Sequence, residues 1–424
     1  MSTRSRIPRL VALATAFTLM AAACGGDDDA TPATTAPPAT DAPADTDDPA
    51  DTDDPVDTDD PADTDDPADD PGEAVGFVEG CSERSVTDPA IISPEREVAR
   101  CDPGYPLPQP LDERRTVVVS SAFRLEFNSP LLLAISQGEF EKENIEIEFV
   151  NIPYSDSVPQ MASGNVDVAV GGIEIALFNA GNLGLDVRAT LGNYFPPDAG
   201  NYDEAQTGLW CRRDAFSNPE DPDLLETADV TWSSSVGRGS VSVYYSIAEI
   251  ERRTGQDLDI SQTVIEAIPN VDALTALVND GVQCAVLLDP FWLDIADDPD
   301  YFLAASQTPG EPLGQYSYGS RMLEDRELGV AFARAFIRTV NTFFQGDYHA
   351  DDEVMDLIAE EIGREVDDLR QVPSLVMDWE IREGTTTRVQ ELFIDSGTIT
   401  EFDTPVDEDL IVDRSFYLEA VGAL

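Results

Sequence analysis

From Thr116 onward the apolar positions fall into two kinds of segment: short unbroken runs, and stretches in which they recur at helical spacing. Met161 to Ala180, MASGNVDVAVGGIEIALFNA, shows the plan most clearly. Ser163-Gly164-Asn165 is a turn. Val166 to Val170 is an apolar run suited to a parallel strand buried on both faces. Gly171-Gly172 then leads directly into a helix. A strand that delivers a glycine turn to a helix N-terminus makes a ligand-facing edge in α/β proteins. Val271 to Trp292 repeats the plan: Val271, Leu274, Leu277 and Val278 share a helix face, Asn279-Asp280-Gly281 turns the chain, and Val282 to Leu288 is a strand. Two such units about a hundred residues apart imply two lobes of related build.

The neighbouring segments extend this pattern. Val117 to Val119 is a first strand, and Ser129-Pro130 opens a helix with Ser129 as N-cap and Pro130 at its first position. Ile145 to Val150 and Val187 to Leu191 are further strands, with a helix over Ser155 to Met161 between them. This β-α-β-α order predicts a parallel sheet with right-handed crossovers. Near Gly208 to Cys211 the chain moves to a second lobe. There Val230 to Ser233 is a strand, Ser234 to Ser240 a polar glycine loop, Val241 to Arg253 a helix and Thr263 to Ile268 a strand. After Asp289-Pro290 the chain is expected to return to the first lobe. Helical spacing then dominates in Leu328 to Phe344, Glu353 to Ile362 and Thr386 to Ile394.

Length and composition agree with two lobes. The chain has 424 residues, more than one compact core usually holds, and 42% of them are hydrophobic. Its formal charge of −59 argues against nucleic acid as a partner. The start of the chain is of another kind. Arg4, Arg6 and Arg9 precede an apolar run from Leu10 to Met20 that is short for a membrane span. Ala21-Ala22-Ala23-Cys24 follows, like a lipobox, so residues 1–23 are expected to be a lipoprotein signal peptide and Cys24 the lipidated residue. The alternative is an ordinary cleaved signal. Residues 24–74 form an acidic tether, with 18 Asp, one Glu and no Lys or Arg in 25–74. Proline and self-repulsion favour an extended spacer over a calcium site, which would need ordered ligand spacing. Residues 75–114 form a Cys-containing extension, 115–206 and 290–424 the first lobe, and 207–289 the second.

Apart from Cys24, the cysteines are Cys81, Cys101, Cys211 and Cys284. Four allow three pairings. The favoured ones are Cys81–Cys101, closing the Pro-rich extension, and Cys211–Cys284, joining two strands of one lobe. Disulfides fit an exported chain, and the absence of a CxxC or Cys/His cluster disfavours a metal site.

The body also resembles a known family. SPLLLAISQGEFEKENIEIEF (Ser129 to Phe149), ASGNVDVAVGGIEIALFNA (Ala162 to Ala180), the strand ending in Asp289-Pro290-Phe291, and VDRSFYLEAVG (Val412 to Gly422) stand in the order found in one group. These are the substrate-binding proteins of ABC importers for nitrate, sulfonates, taurine and thiamine-pyrimidine precursors. The resemblance covers residues 115–424. It implies a two-lobed periplasmic-binding-protein fold of type II, α/β in class, each lobe a parallel-rich sheet flanked by helices. It further implies a small solute held in the cleft and a membrane permease as partner; together with the lipobox, the expectation is an extracytoplasmic, monomeric protein attached to the bilayer through Cys24, with no cofactor.

In such a fold the loops at the C-terminal strand ends line the cleft. They supply Ser121, Phe123 and Asn128, then Gly172, Ile173 and Glu174, then Ser234, Ser235, Arg238, Gly239 and Ser240, and finally Asp289 and Trp292. Free N–H groups at helix N-termini suit an anion or a carbonyl. Glu174 stands where many relatives of that group carry a small neutral residue. It is read either as a complement to a positive helix end or as an acceptor for an amine or aminopyrimidine. Asp289 fits the same acceptor role, or a hinge. Arg238 is read as a carboxylate or sulfonate clamp, or as a solvated loop residue. Phe123 and Trp292 are the favoured stacking faces, with Tyr194 to Pro197 as a rim. An enzyme is disfavoured: His349, the only histidine, lies in a loop expected far from the cleft, and Lys142, the only lysine, on a surface turn. The expectation is therefore a solute-binding lipoprotein of an importer with an amine-type ligand, a sulfonate- or nitrate-type ligand or a surface sensor being the alternatives.

Overall fold

The computed structural model describes residues 76–122, 124–198, 206–216, 230–255, 258–260 and 263–424. The expected signal peptide, Cys24, the acidic tether and Phe123 lie outside them. The chain runs through β1 (Arg115–Ser120), α1 (Ser129–Ser136), β2 (Ile145–Val150), α2 (Tyr154–Ala162), β3 (Val168–Gly172), α3 (Ile175–Asn182), β4 (Arg188–Gly192) and the two-residue β5 (Tyr194–Phe195). It continues through β6 (Gly208–Arg212), β7 (Thr231–Ser234), α4 (Val241–Thr254), β8 (Val264–Ala267), α5 (Asn270–Val278), β9 (Cys284–Leu287) and β10 (Tyr301–Ser306). It ends with β11 (Gly314–Tyr318), α6 (Ser320–Glu324), α7 (Arg326–Phe343), α8 (Asp352–Ile362), α9 (Val366–Leu369), β12 (Val376–Met377), α10 (Thr385–Asp395) and α11 (Ser415–Val421).

Two five-stranded sheets result, ordered β2-β1-β3-β11-β4 and β10-β6-β9-β7-β8. In the first, β1 pairs parallel with β2 and β3, as the alternation of strands and helices predicts. The sheet is not wholly parallel, because β11 enters antiparallel between β3 and β4. In the second, β7 is parallel to β8 and β9, while β6 is antiparallel to β9 and β10. The return to the first sheet falls between Ser306 and Gly314, later than the expected crossover after Asp289-Pro290, because β10 still pairs with β6.

Local chemistry explains most element ends. Pro130 sits in the first turn of α1, where its missing N–H costs nothing. The N-cap is Asn128, so Ser129 is the first helical residue and not the cap. Asp351 caps α8 by accepting from the Glu353 and Val354 N–H groups. β3 is buried along Val168 to Gly171, as befits a strand covered on both faces. Gly171 leaves space for the ring of Tyr154; a Cβ there would come within 2.5 Å of it.

Both expected disulfides are present, Cys81–Cys101 and Cys211–Cys284. The second links residues directly opposite each other on β6 and β9. The extension ahead of β1 is fastened by buried arginines. Arg338 of α7 donates to Glu139 (2.6 Å), to Glu143 (2.8 Å) and to the Pro106 carbonyl (2.9 Å). Arg334 donates to Glu143 (2.9 Å) and the Gln109 carbonyl (2.9 Å). Arg96, from the extension itself, reaches Asp378 at 3.3 Å and lies 3.5 Å above the Phe195 ring. No helix among the described residues is long and apolar enough to cross a membrane.

Candidate functional site

The C-terminal ends of β1, β3, β7 and β9 converge where the two sheets face each other, and two adjoining chambers open there. The first, with a cavity volume of about 40 Å³, is lined by Gly171, Gly172 and Glu174 from the end of β3 and by Ser235, Ser240, Val241, Ser242 and Asn270 from the other lobe. It is bordered by three helix N-termini. Glu174 is the N-cap of α3, Ser240 that of α4, and Asn270 is the first residue of α5. The second chamber, of about 30 Å³, is lined by Glu126, Asp289, Pro196, Thr207 and Leu375. Phe127, Tyr194, Leu288 and Leu313 line both.

Glu174 is 7% exposed, and although it is the N-cap, its side chain accepts no capping bond from α3. Its carboxylate takes the Gly172 N–H, and burial pushes its pKa up to about 8 against that single bond. Its Oε2 has no protein partner. Such an atom costs free energy unless something in the cleft meets it.

The second chamber is also acidic. Asp289 accepts from Trp292 Nε1 at 2.5 Å. Burial lifts its pKa to about 6, partly offset by that bond and raised further by the nearby Glu126 charge. Glu126 is 2% exposed. Its Oε1 accepts from Tyr348 Oη and lies 2.6 Å from His349 Nε2, while its Oε2 has no protein partner. The Phe127 and Tyr194 rings stack with centroids 5.2 Å apart and planes 16° from parallel. Among the described residues lining the two chambers there is no Arg or Lys.

No family model and no curated protein matches the sequence. Solved structures do match the fold. The periplasmic nitrate-binding protein NrtA from Synechocystis PCC 6803 superposes with a TM-score of 0.56 at 12% identity, covering 74% of this chain and 90% of that one. The alkanesulfonate-binding protein SsuA from Xanthomonas axonopodis pv. citri, bound to MOPS, gives 0.52 at 14%, covering 71% and 99%. A ligand-binding component of an ABC-type import system from Staphylococcus aureus, with zinc bound, gives 0.52 at 14%, covering 72% and 99%. The chain has the periplasmic-binding-protein fold. Identities this low speak to the fold alone. As expected, the architecture is α/β with two sheets flanked by helices; in each sheet two strand pairings are parallel and two antiparallel.

Within this periplasmic-binding-protein cleft the expected residues separate into three groups. Gly172, Glu174, Ser235 and Ser240 come together in the first chamber, and Asp289 lines the second. Ser121, Asn128, Ser234 and Gly239 are part of the scaffold. Asn128 Nδ2 donates to Ser121 Oγ at 2.7 Å, Ser234 Oγ donates to the Gly237 carbonyl at 2.7 Å, and Gly239 abuts Ile175. The remaining three point elsewhere. Ile173 lines a separate cavity with Arg96 and Asn193. Arg238 donates to the Ile260 and Thr263 carbonyls, so it braces its own lobe and no clamp faces the cleft. Trp292 stacks on Trp210, with centroids 6.2 Å apart and planes 6° from parallel, and presents no face to either chamber.

The sequence reading missed Glu126 and its partners. His349, expected far from the cleft, sits directly behind Glu126. It lines a wider hollow of about 640 Å³, beside Arg100 and Arg370. Both of those arginines are bonded, Arg100 to backbone carbonyls and Arg370 to the His349 carbonyl and to Asp352. Glu126 is one of 84 acidic residues and follows a strand by a short loop, so nothing local distinguishes it. The visible signals were Phe127, as a candidate stacking face, and Tyr194 and Pro196 of the expected rim. Among the described residues no group of three or more His, Cys, Asp or Glu is arranged to hold a metal ion.

Proposed function

We propose that this protein is the solute-binding component of an ABC importer, and that it captures an amine-bearing organic solute between its lobes and delivers it to a membrane permease. The observation that carries the ligand class is Glu174, a buried carboxylate in the cleft with one oxygen unpartnered. A ligand ammonium meets that oxygen and draws off the proton that burial keeps on the carboxyl up to about pH 8, whereas an anion gains only the one donor of the protonated form. The stacked Phe127–Tyr194 wall adds a face for a flat or aliphatic group. In this reading Glu174 and Asp289 bind and do no chemistry. The signal peptide, the Cys24 lipid anchor, the extended tether and the extracytoplasmic location belong to the same proposal. The two disulfides suit an oxidising compartment. A surface sensor would use the same cleft, and co-purification of a permease separates the two.

One observation favours a second reading, a sulfonate- or nitrate-type ligand: the three helix N-termini around the first chamber. Thermal unfolding against nitrate, taurine, alkanesulfonates, aminopyrimidines and polyamines decides between them. A ligand at a hundred times its dissociation constant adds about 2.7 kcal/mol to the folded state. The amine reading expects a midpoint rise with amines or aminopyrimidines that Glu174→Gln abolishes. A rise with sulfonates or nitrate alone, kept or enlarged in Glu174→Gln, would overturn the amine reading and support the anion one.

A further inference from the structure

The second chamber has no task in a cleft that grips its ligand only through Glu174. We infer that the solute is elongated and two-ended, with a cationic nitrogen seated between Glu126 and Asp289 and an N–H-donating group at Glu174. This rests on the amine reading above and narrows it to a chemical class.

Three observations carry it. Glu126 is nearly fully buried, and Tyr348 and His349 both engage its Oε1, which leaves Oε2 unpartnered in a residue lining the chamber. Asp289 lines the same chamber and is held in place by Trp292 on one oxygen. Two carboxylates that repel each other across one small space are both relieved by a single cation between them. Finally, the wall common to both chambers is apolar, made of Phe127, Tyr194, Leu288 and Leu313. Two acidic ends joined by an apolar middle match a methylene chain or flat ring with nitrogen at each end. Phe127 and Tyr194 also offer ring faces to the cationic end. A one-ended amine or a small anion leaves one of the two unpartnered carboxylate oxygens unmet.

The test is calorimetric titration of the full chain with four probes that share a five-carbon chain: 1,5-diaminopentane, 5-aminopentanamide, pentylamine and pentanamide. The two-ended probes are expected to bind about 10-fold or more tightly than either one-ended probe. Glu126→Gln keeps the side-chain shape and removes the charge. It should bring the two-ended probes to within about twofold of pentanamide while leaving pentanamide itself unchanged. Asp289→Asn should act in the same direction, and it carries the test together with the unmutated probe series if Glu126→Gln does not fold. If pentylamine binds as tightly as diaminopentane, the amine reading survives and the two-ended ligand falls. If no nitrogen probe binds and alkanesulfonates do, both fall.

Discussion

Glu174 carries a cost in the empty cleft, and that cost has a pH signature. Its pKa is about 8 in the folded protein against an ordinary 4.5. The folded state therefore holds the proton more tightly than the unfolded chain does. Stability from this group is full below about 4.5, falls as pH rises, and is lost above about 8. Asp289, raised to about 6 from 3.8, acts with the same sign over a lower window. The unliganded protein should accordingly lose stability between pH 5 and 8 beyond what Glu174→Gln loses, on the order of 1 kcal/mol or more, at about 1.4 kcal/mol per pKa unit. Unfolding midpoints of both proteins across that range check it, and parallel curves would mean that Glu174 titrates normally. Glu174 and Asp289 were legible because each directly follows an apolar strand, where α/β folds place ligands. Glu126 was not, because its meaning depends on Tyr348 and His349, more than two hundred residues away in the chain.

Among the elements, those with one clean period were read to within a few residues: β2, β3, α4, α7 and α8. β11 and β10 were missed for different reasons. In β11, Gln315 and Ser317 are buried between β3 and β4, so alternation gives no apolar run. β10 follows an acidic loop and has apolar residues on both faces, which gave no reason to extend the second sheet past residue 290. The extension ahead of β1 was read only through its cysteines, yet α7 fastens it with Arg334 and Arg338. Arg338→Met would leave Glu139 and Glu143 buried with less positive charge beside them. The expected loss is about 3–5 kcal/mol, by analogy with one-sided removal of buried ion pairs. Arg114→Met is the control, since both it and its partner Glu146 are more than half exposed and the pair is worth about 0–1 kcal/mol. Urea denaturation of the two variants should separate them clearly. Equal midpoints would mean that Arg338 contributes packing and little charge compensation.

At the scale of the whole molecule, the cleft exists only because the lobes approach closely. Two of the contacts between them bear directly on the first chamber's side of the cleft. Tyr244 of α4 packs on Phe393 of α10 with centroids 4.7 Å apart, and its hydroxyl bonds with Thr398 and Ser396. Gly239, ahead of α4, lies so near α3 that a Cβ would stand 2.8 Å from Ile175 Cγ2. Ile175 is the residue after Glu174, so this contact sits at the edge of the first chamber. A Cβ at Gly239 would crowd Ile175 across the cleft, while within its own lobe it would stand at an ordinary 3.9 Å from Val236 Cγ2. Gly239→Leu should therefore hold the lobes apart. It should weaken ligand binding by about 10-fold or more, as expected when the closed state becomes a minor population. The unfolding midpoint of the unliganded protein should stay nearly unchanged. Small-angle scattering supplies the direct readout: the radius of gyration should fall when ligand is added to the wild type and stay constant in Gly239→Leu. Retained affinity with a normal compaction would show that Ile175 yields and that closure is not limited at this contact. Lost affinity together with a lowered midpoint would instead place the damage within the second lobe.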